Sequence, residues 1–171
     1  DIAKYSKKAA QLADIADKEL RSKNVPKSLM KRSSGFMEDD KAKQVLQYST
    51  ILGSIPPKPH MRRPYPTRSS VHGVKSANTF VKAMLMLAKE SEQIVKQITP
   101  ELYEQQKELI AENIAKEWRF GDLFTSSISN FNIAADFHRD NGNLKGCSNV
   151  IITKRSNSTG GCTTVPDYGA T

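Results

Sequence analysis

The chain has 171 residues, with 37% hydrophobic and 26% charged side chains, enough for one globular domain with its own core. No apolar run approaches the ~20 residues a membrane span requires, and no basic-then-apolar leader opens the sequence, so no membrane partner is expected. The formal net charge of +8 suits a polyanionic partner such as nucleic acid. Cys147 and Cys162 are the two cysteines; they lack zinc-finger spacing and do not make a disulfide scaffold. A reducing, intracellular setting is expected, nuclear in a eukaryote and cytoplasmic in a bacterium or phage host. The chain starts at Asp1, which predicts a trimmed or longer natural N-terminus.

Residues 2–20 read as a helix, because Ile2, Tyr5, Ala9, Leu12, Ile15 and Ala16 recur at helical spacing. Pro26 and then Ser33, Ser34 and Gly35 mark a break. A short helix is expected over about 39–49, with Ala42, Val45 and Leu46 on one side. Residues 53–73 hold five prolines, and four lysines or arginines before Ser69. Proline fixes φ and lacks an amide donor, so this stretch is expected to be an extended loop. Arg62, Arg63 and Arg68, with Tyr65 among them, form a basic cluster there that could grip phosphate or simply face solvent. His72, at the end of the loop, could approach the pocket or the substrate, and otherwise reads as a plain loop histidine.

Two strong helices follow. Phe80, Met84, Leu87, Ile94 and Ile98 form one apolar face, expected to pack against a sheet. Thr99 and Pro100 then read as the cap and first position of a second helix, with Leu102, Leu109, Ile110, Ile114 and Trp118 on its apolar side. After Gly121 the texture turns to strands, expected over 123–133, 149–155 and 161–165. Helices first and strands last argue an α+β fold in one domain, 1–171. Residues 1–120 read as mainly helical support around the 53–73 loop, and 121–171 as the first strands of the β core.

In steps of two along the first of these strands, if it stays extended to 140, stand Asn130, Asn132, Ala134, Asp136, His138 and Asp140, while Phe131, Ile133, Ala135 and Phe137 face the other way. An extended backbone therefore aims His138 and Asp140 at one point. An imidazole and a carboxylate suit non-haem Fe(II), in a facial set of two histidines and one carboxylate. The other histidines, His60 and His72, both precede His138. An isolated H-x-D also arises as a turn histidine paired with its aspartate. Asn130 and Asn132, on the same side, could hydrogen-bond a cosubstrate or satisfy backbone groups.

The sequence H-R-D-x-x-N at 138–143, the strand after it, and Gly160-Gly161 followed by P-D-Y-G at 166–169 resemble the TET/JBP family of Fe(II)- and 2-oxoglutarate-dependent oxygenases. The resemblance covers the last third of the chain. It implies a double-stranded β-helix, or jelly-roll barrel, with supporting helices. It also implies hydroxylation of the methyl group of 5-methylcytosine or thymine in DNA, or in RNA, with Fe(II) and 2-oxoglutarate as cofactors. His138 and Asp140 would then be iron ligands, and Asn143 would contact the target base. The family's distal histidine, and the arginine that grips the cosubstrate, are expected beyond Thr171, in a C-terminal remainder of the barrel or a second fragment. Two other readings stay open: a non-catalytic basic module of the same fold that binds nucleic acid, and an oxygenase acting on protein or a small molecule.

Overall fold

The computed structural model describes residues 2–22, 24–30, 48–55, 66–131, 143–154, 159 and 163–169. Three helices and a small antiparallel sheet make an α+β arrangement. Helix α1 is Ile2–Arg21, α2 is Asn78–Ile98 and α3 is Pro100–Asn113. The strands are β1, Tyr48–Ile55, β2, Thr67–Arg68, and β3, Ser126–Phe131, in the order β2-β1-β3.

Helix α1 buries Ala9, Leu12, Ala16 and Leu20, one stripe at helical spacing. Lys18 and Arg21 sit in its last turn, where positive charge offsets the helix dipole. The stripe packs on α2, and Lys8 of α1 pairs with Glu90 of α2. From α2, Phe80, Ala83 and Met84 enter the core with Leu20, Val25, Leu52, Val71 and Phe120. Phe80 is fully buried, worth about 1.5–3 kcal/mol. The Phe80 and Met84 face thus enters a core shared by α1, through Ala16 and Leu20, and the sheet, through Leu52, while Ile98, expected on the same face, is exposed.

A proline at 100 pushes the residue before it out of the helical region. Thr99 takes φ −138° and ψ 70°, ending α2, and Pro100 begins α3. The Thr99 hydroxyl does not cap α3; it donates back to the Val95 carbonyl at 3.2 Å. Helix α3 stops at Asn113, short of Trp118. Ile114 is extended, and Trp118 is half-buried in a short 3-10 turn, Lys116–Trp118.

The central strand comes from early in the chain, a correction to the expected order of helices first and strands last. Tyr48 and Ser49, expected at the end of a short helix, already belong to β1, and the rest of that expected helix lies outside the described residues. Residues 53–55 and 67–68, expected in a loop, belong to β1 and β2. The register places Ile51 opposite Ile128, Gly53 opposite Ser126 and Ser54 opposite Arg68. Gly53 is required here, with φ 104°: a Cβ would lie 2.5 Å from the Thr125 carbonyl oxygen. Among the described residues of the two later expected strands, 149–154 and 163–164 carry no strand. No described helix is long and apolar enough to cross a membrane.

Candidate functional site

Strand β3 alternates as its sequence parity requires. Ser127, Ser129 and Phe131 are half-buried on the side facing the helices, while Ser126, Ile128 and Asn130 are exposed. Asn130 therefore stands on the open face of the sheet, in the same row as Ile128 and opposite Ser49. Ile51 and Ile128, a directly opposed pair, share that open face and are 37% and 57% exposed. Asn132, His138 and Asp140, which continue the row in sequence, lie outside the described residues, as do Arg62, Arg63, Tyr65 and Cys162. Asn143 is described and exposed. Among the described residues no group of three or more His, Cys, Asp and Glu side chains could hold a metal.

His72 is not a plain loop histidine. Its Nε2 accepts the Gly53 amide at 3.0 Å, from a 3-10 turn, Ser70–Gly73, placed beside the sheet. Burial, with the Arg68 guanidinium nearby, lowers its pKa from the usual 6.5. It is thus held neutral with Nε2 as acceptor. Arg68 itself is exposed and donates from Nη2 to the Glu117 carbonyl at 2.9 Å.

Two polar side chains that sequence patterning did not single out hold the frame around β3 and the segment after Asn143. Glu92, buried on α2, accepts the amides of Asp122 at 2.6 Å and Leu123 at 2.9 Å. It braces the turn that feeds β3. Burial raises its pKa, the Asp122 charge adds to the rise, and the two amides and Lys89 oppose it. Gly121 in that turn has φ 78°, and a Cβ there would strike the Glu92 carboxylate. Tyr103, buried on α3, donates to Asp122 at 3.3 Å; burial, then the Asp122 charge, raises its pKa.

Gln106 is buried on α3 and uses both ends of its amide. Nε2 donates to the Leu123 carbonyl at 3.0 Å and the Ser148 carbonyl at 3.2 Å, and Oε1 accepts the Ser148 amide at 2.8 Å. This clamps the segment following Asn143 onto α3 and the β3 turn. A cleft of about 280 Å³ lies beside the clamp, lined by Val95, Leu102, Leu123, Val150 and Ile151 among others; Asn130 is not part of its lining. Further along, Lys154 pairs with Asp14 of α1. Cys147 is half-buried, and burial raises its thiol pKa, as suits a packing residue. Tyr168 is 85% exposed in a 3-10 turn, Pro166–Tyr168.

A signal for both braces exists in the sequence. Gln106 lies in step with Tyr103 and Ile110, and Glu92 lies beside Ser91, which continues the Phe80, Met84 and Leu87 row. A polar residue on an apolar stripe needs partners if it is buried. Comparisons with family models, curated proteins and solved structures found no match for the chain.

Proposed function

We propose that the protein belongs to an Fe(II)- and 2-oxoglutarate-dependent dioxygenase that hydroxylates the methyl group of a pyrimidine base in DNA, 5-methylcytosine or thymine, on a jelly-roll core. The observation that carries this reading is the sequence H-R-D-x-x-N at 138–143, following β3, with P-D-Y-G at 166–169 beyond it. The alternation in β3 supports it, because Asn130 lies on the sheet's open face, the side a substrate can approach. Imidazole nitrogen and carboxylate oxygen are donors that Fe(II) accepts, so His138 and Asp140 fit two of three protein ligand positions.

When bound, the iron with 2-oxoglutarate and O2 would supply the oxidising chemistry, which no side chain can provide alone. The remaining tasks belong to the chain. Asn143 hydrogen-bonds the target base and sets the methyl group toward the site. Asn130 and Asn132 steady the cosubstrate by hydrogen bonds. A base within a duplex cannot reach such a pocket, so it is taken from the stack before it is oxidised. The brace at Glu92 and the clamp at Gln106 keep β3 and the segment after Asn143 in fixed relation.

A second reading, a basic nucleic-acid-binding module without chemistry, is favoured by the histidines. His72 is committed through Nε2 to the Gly53 amide, so it is poorly suited to complete the set with His138. Mass spectrometry of nucleosides separates the two. The full gene product is incubated with methylated DNA, Fe(II) and 2-oxoglutarate, and succinate is measured in parallel. Hydroxymethylated base with matching succinate supports the oxygenase. DNA binding without either product supports the module.

A further inference from the structure

Among the described residues, Arg68 and Arg119 are held by carbonyl oxygens and not by carboxylates. Arg68 donates to the Glu117 carbonyl, and Arg119 donates from Nε to Ile114 at 2.8 Å and from Nη2 to Ala111 at 2.9 Å. Four ion pairs stand out among the described residues: Lys8 with Glu90, Arg21 with Asp17, Lys107 with Glu104 and Lys154 with Asp14. None takes up Arg68, Arg119 or the exposed Lys116. A carbonyl fixes the direction of a guanidinium without cancelling its charge. Each arginine also keeps unused donors, since a guanidinium carries five N–H groups.

These residues come together at the turn after α3. The turn Lys116–Trp118 is tied to β2 through Arg68 and to β1 through Ser54, whose hydroxyl donates to the Trp118 carbonyl at 2.7 Å. Arg119 lies over the last carbonyls of α3, where the helix dipole offsets up to about half a charge. Glu117 subtracts one more. About one and a half positive charges remain in excess at the turn that carries the half-buried Trp118.

We propose that Arg68, Lys116 and Arg119, grouped around Trp118, form a docking surface for the phosphate backbone of duplex DNA; this rests on the reading of DNA as the substrate. Guanidinium forks match phosphate oxygens, and pre-fixed forks lose little freedom on binding. An indole among them offers a flat surface to sugar or base. No large hydrophobic side chain of the kind that enters a lipid interface is exposed at 66–70 or 114–119. That favours nucleic acid over an anionic membrane.

Trp118 is the chain's one tryptophan, so its fluorescence reports directly on the surface. An unmodified fluorescein-labelled duplex is titrated, without iron or 2-oxoglutarate, into the protein, with any tryptophan other than Trp118 replaced by Phe, and into its Lys116→Gln, Arg68→Gln and Glu117→Gln variants. Folding is checked by circular dichroism. Loss of either cation should weaken binding several-fold and flatten the log-affinity against log-salt slope by about 0.9. Glu117→Gln should tighten binding, an effect that a merely structural role would not produce. Trp118 emission should change in step with anisotropy. An unchanged slope in the Arg68→Gln/Lys116→Gln double variant overturns the surface. So does binding to phosphatidylserine–phosphatidylcholine vesicles with none to DNA. Base oxidation, read separately by mass spectrometry, judges the oxygenase: normal oxidation with an unchanged slope sinks the surface alone, and a cation-dependent slope without oxidation sinks the oxygenase alone.

Discussion

The imidazole of His72 accepts a hydrogen bond from the amide of Gly53 at 3.0 Å, joining the turn after β2 to the central strand. The same glycine's carbonyl accepts the Ser69 amide at 2.9 Å, and the Ser54 amide donates to Thr125 at 2.8 Å. One irregular point in β1 thus gathers contacts from both flanks of the sheet.

That contact makes the sheet sensitive to acid. Protonated imidazole has no acceptor, so charging His72 breaks the bond and leaves the buried Gly53 amide unpaired. The pKa of His72 is lowered in the folded protein by burial and then by Arg68, so the unfolded chain binds the proton more readily. Its contribution is complete above the unfolded value near 6.5 and is lost as pH falls through the lowered folded value. Urea unfolding at pH 7.5 and 5.0 should show this loss in the natural protein. In His72→Phe the loss should shrink, and stability at pH 7.5 should drop by about 1–3 kcal/mol for the unpaired amide. An identical pH response in the variant would show that His72 is not the sensor.

Strand β1 was hidden in the sequence for a physical reason. Residues 48–55 carry no clean alternation, include Gly53 and run straight into Pro56 and Pro57, so the local reading divides them between the end of a helix and a loop. What makes them a strand is non-local: pairing to β3 across six positions, burial of Leu52 under α2, and the His72 bond. The converse holds at 149–154, where Val150, Ile151 and Ile152 favour a strand that has no ladder. Strand preference reflects the surface against which a segment packs more than the segment itself. The helices were legible because their periodicity is internal. Even so, α3 ends at Asn113, where Ile114 turns extended and Arg119 reaches back to the carbonyls of Ala111 and Ile114.

Glu92 offers a test with the opposite pH sign. Its folded pKa is raised, chiefly by burial, so the folded state holds its proton more tightly than the unfolded chain. Stability from this group is present below the usual 4.5 and is lost as pH rises through the raised value. Glu92→Gln keeps the acceptor for Asp122 and Leu123 and removes the buried charge. It should be neutral or stabilising at pH 7 and should abolish that part of the pH dependence. Glu92→Ala should cost about 1–3 kcal/mol, because two amides lose their acceptor. Gly121→Ala should cost less in the Glu92→Ala background than alone, since the carboxylate that its Cβ would strike is gone. Strictly additive losses in a thermal-unfolding cycle would refute that coupling.

Gln106 should govern the segment after Asn143. Gln106→Leu keeps much of the bulk on α3 and removes three hydrogen bonds, leaving the Leu123 and Ser148 carbonyls and the Ser148 amide without this partner. A loss of about 1–3 kcal/mol is expected. Hydrogen exchange should rise over 143–154 while α1 and the Phe80 end of α2 stay protected. Uniform deprotection of the whole chain would mean that Gln106 supports global stability and does not hold this one segment.

The iron assignment predicts different failures at three positions. His138→Ala and Asp140→Ala each remove a proposed ligand from the full gene product, so both base oxidation and succinate formation should disappear. The loss should exceed the roughly 10–100-fold typical of changing a group that only supports a ligand. Asn143→Ala removes the proposed contact to the base and leaves the proposed ligands in place. It should depress base oxidation while 2-oxoglutarate is still consumed, so that succinate exceeds oxidised base. Exposure of Asn143 to solvent is compatible with a contact made to substrate and not to the core. Measuring succinate and hydroxymethylated nucleoside in the same reactions decides each case. Near-normal turnover in His138→Ala or Asp140→Ala would remove that residue from the ligand set. Equal loss of iron binding and oxidation in Asn143→Ala would make Asn143 a turn residue that positions the ligands and leave the recognition of the base to other side chains.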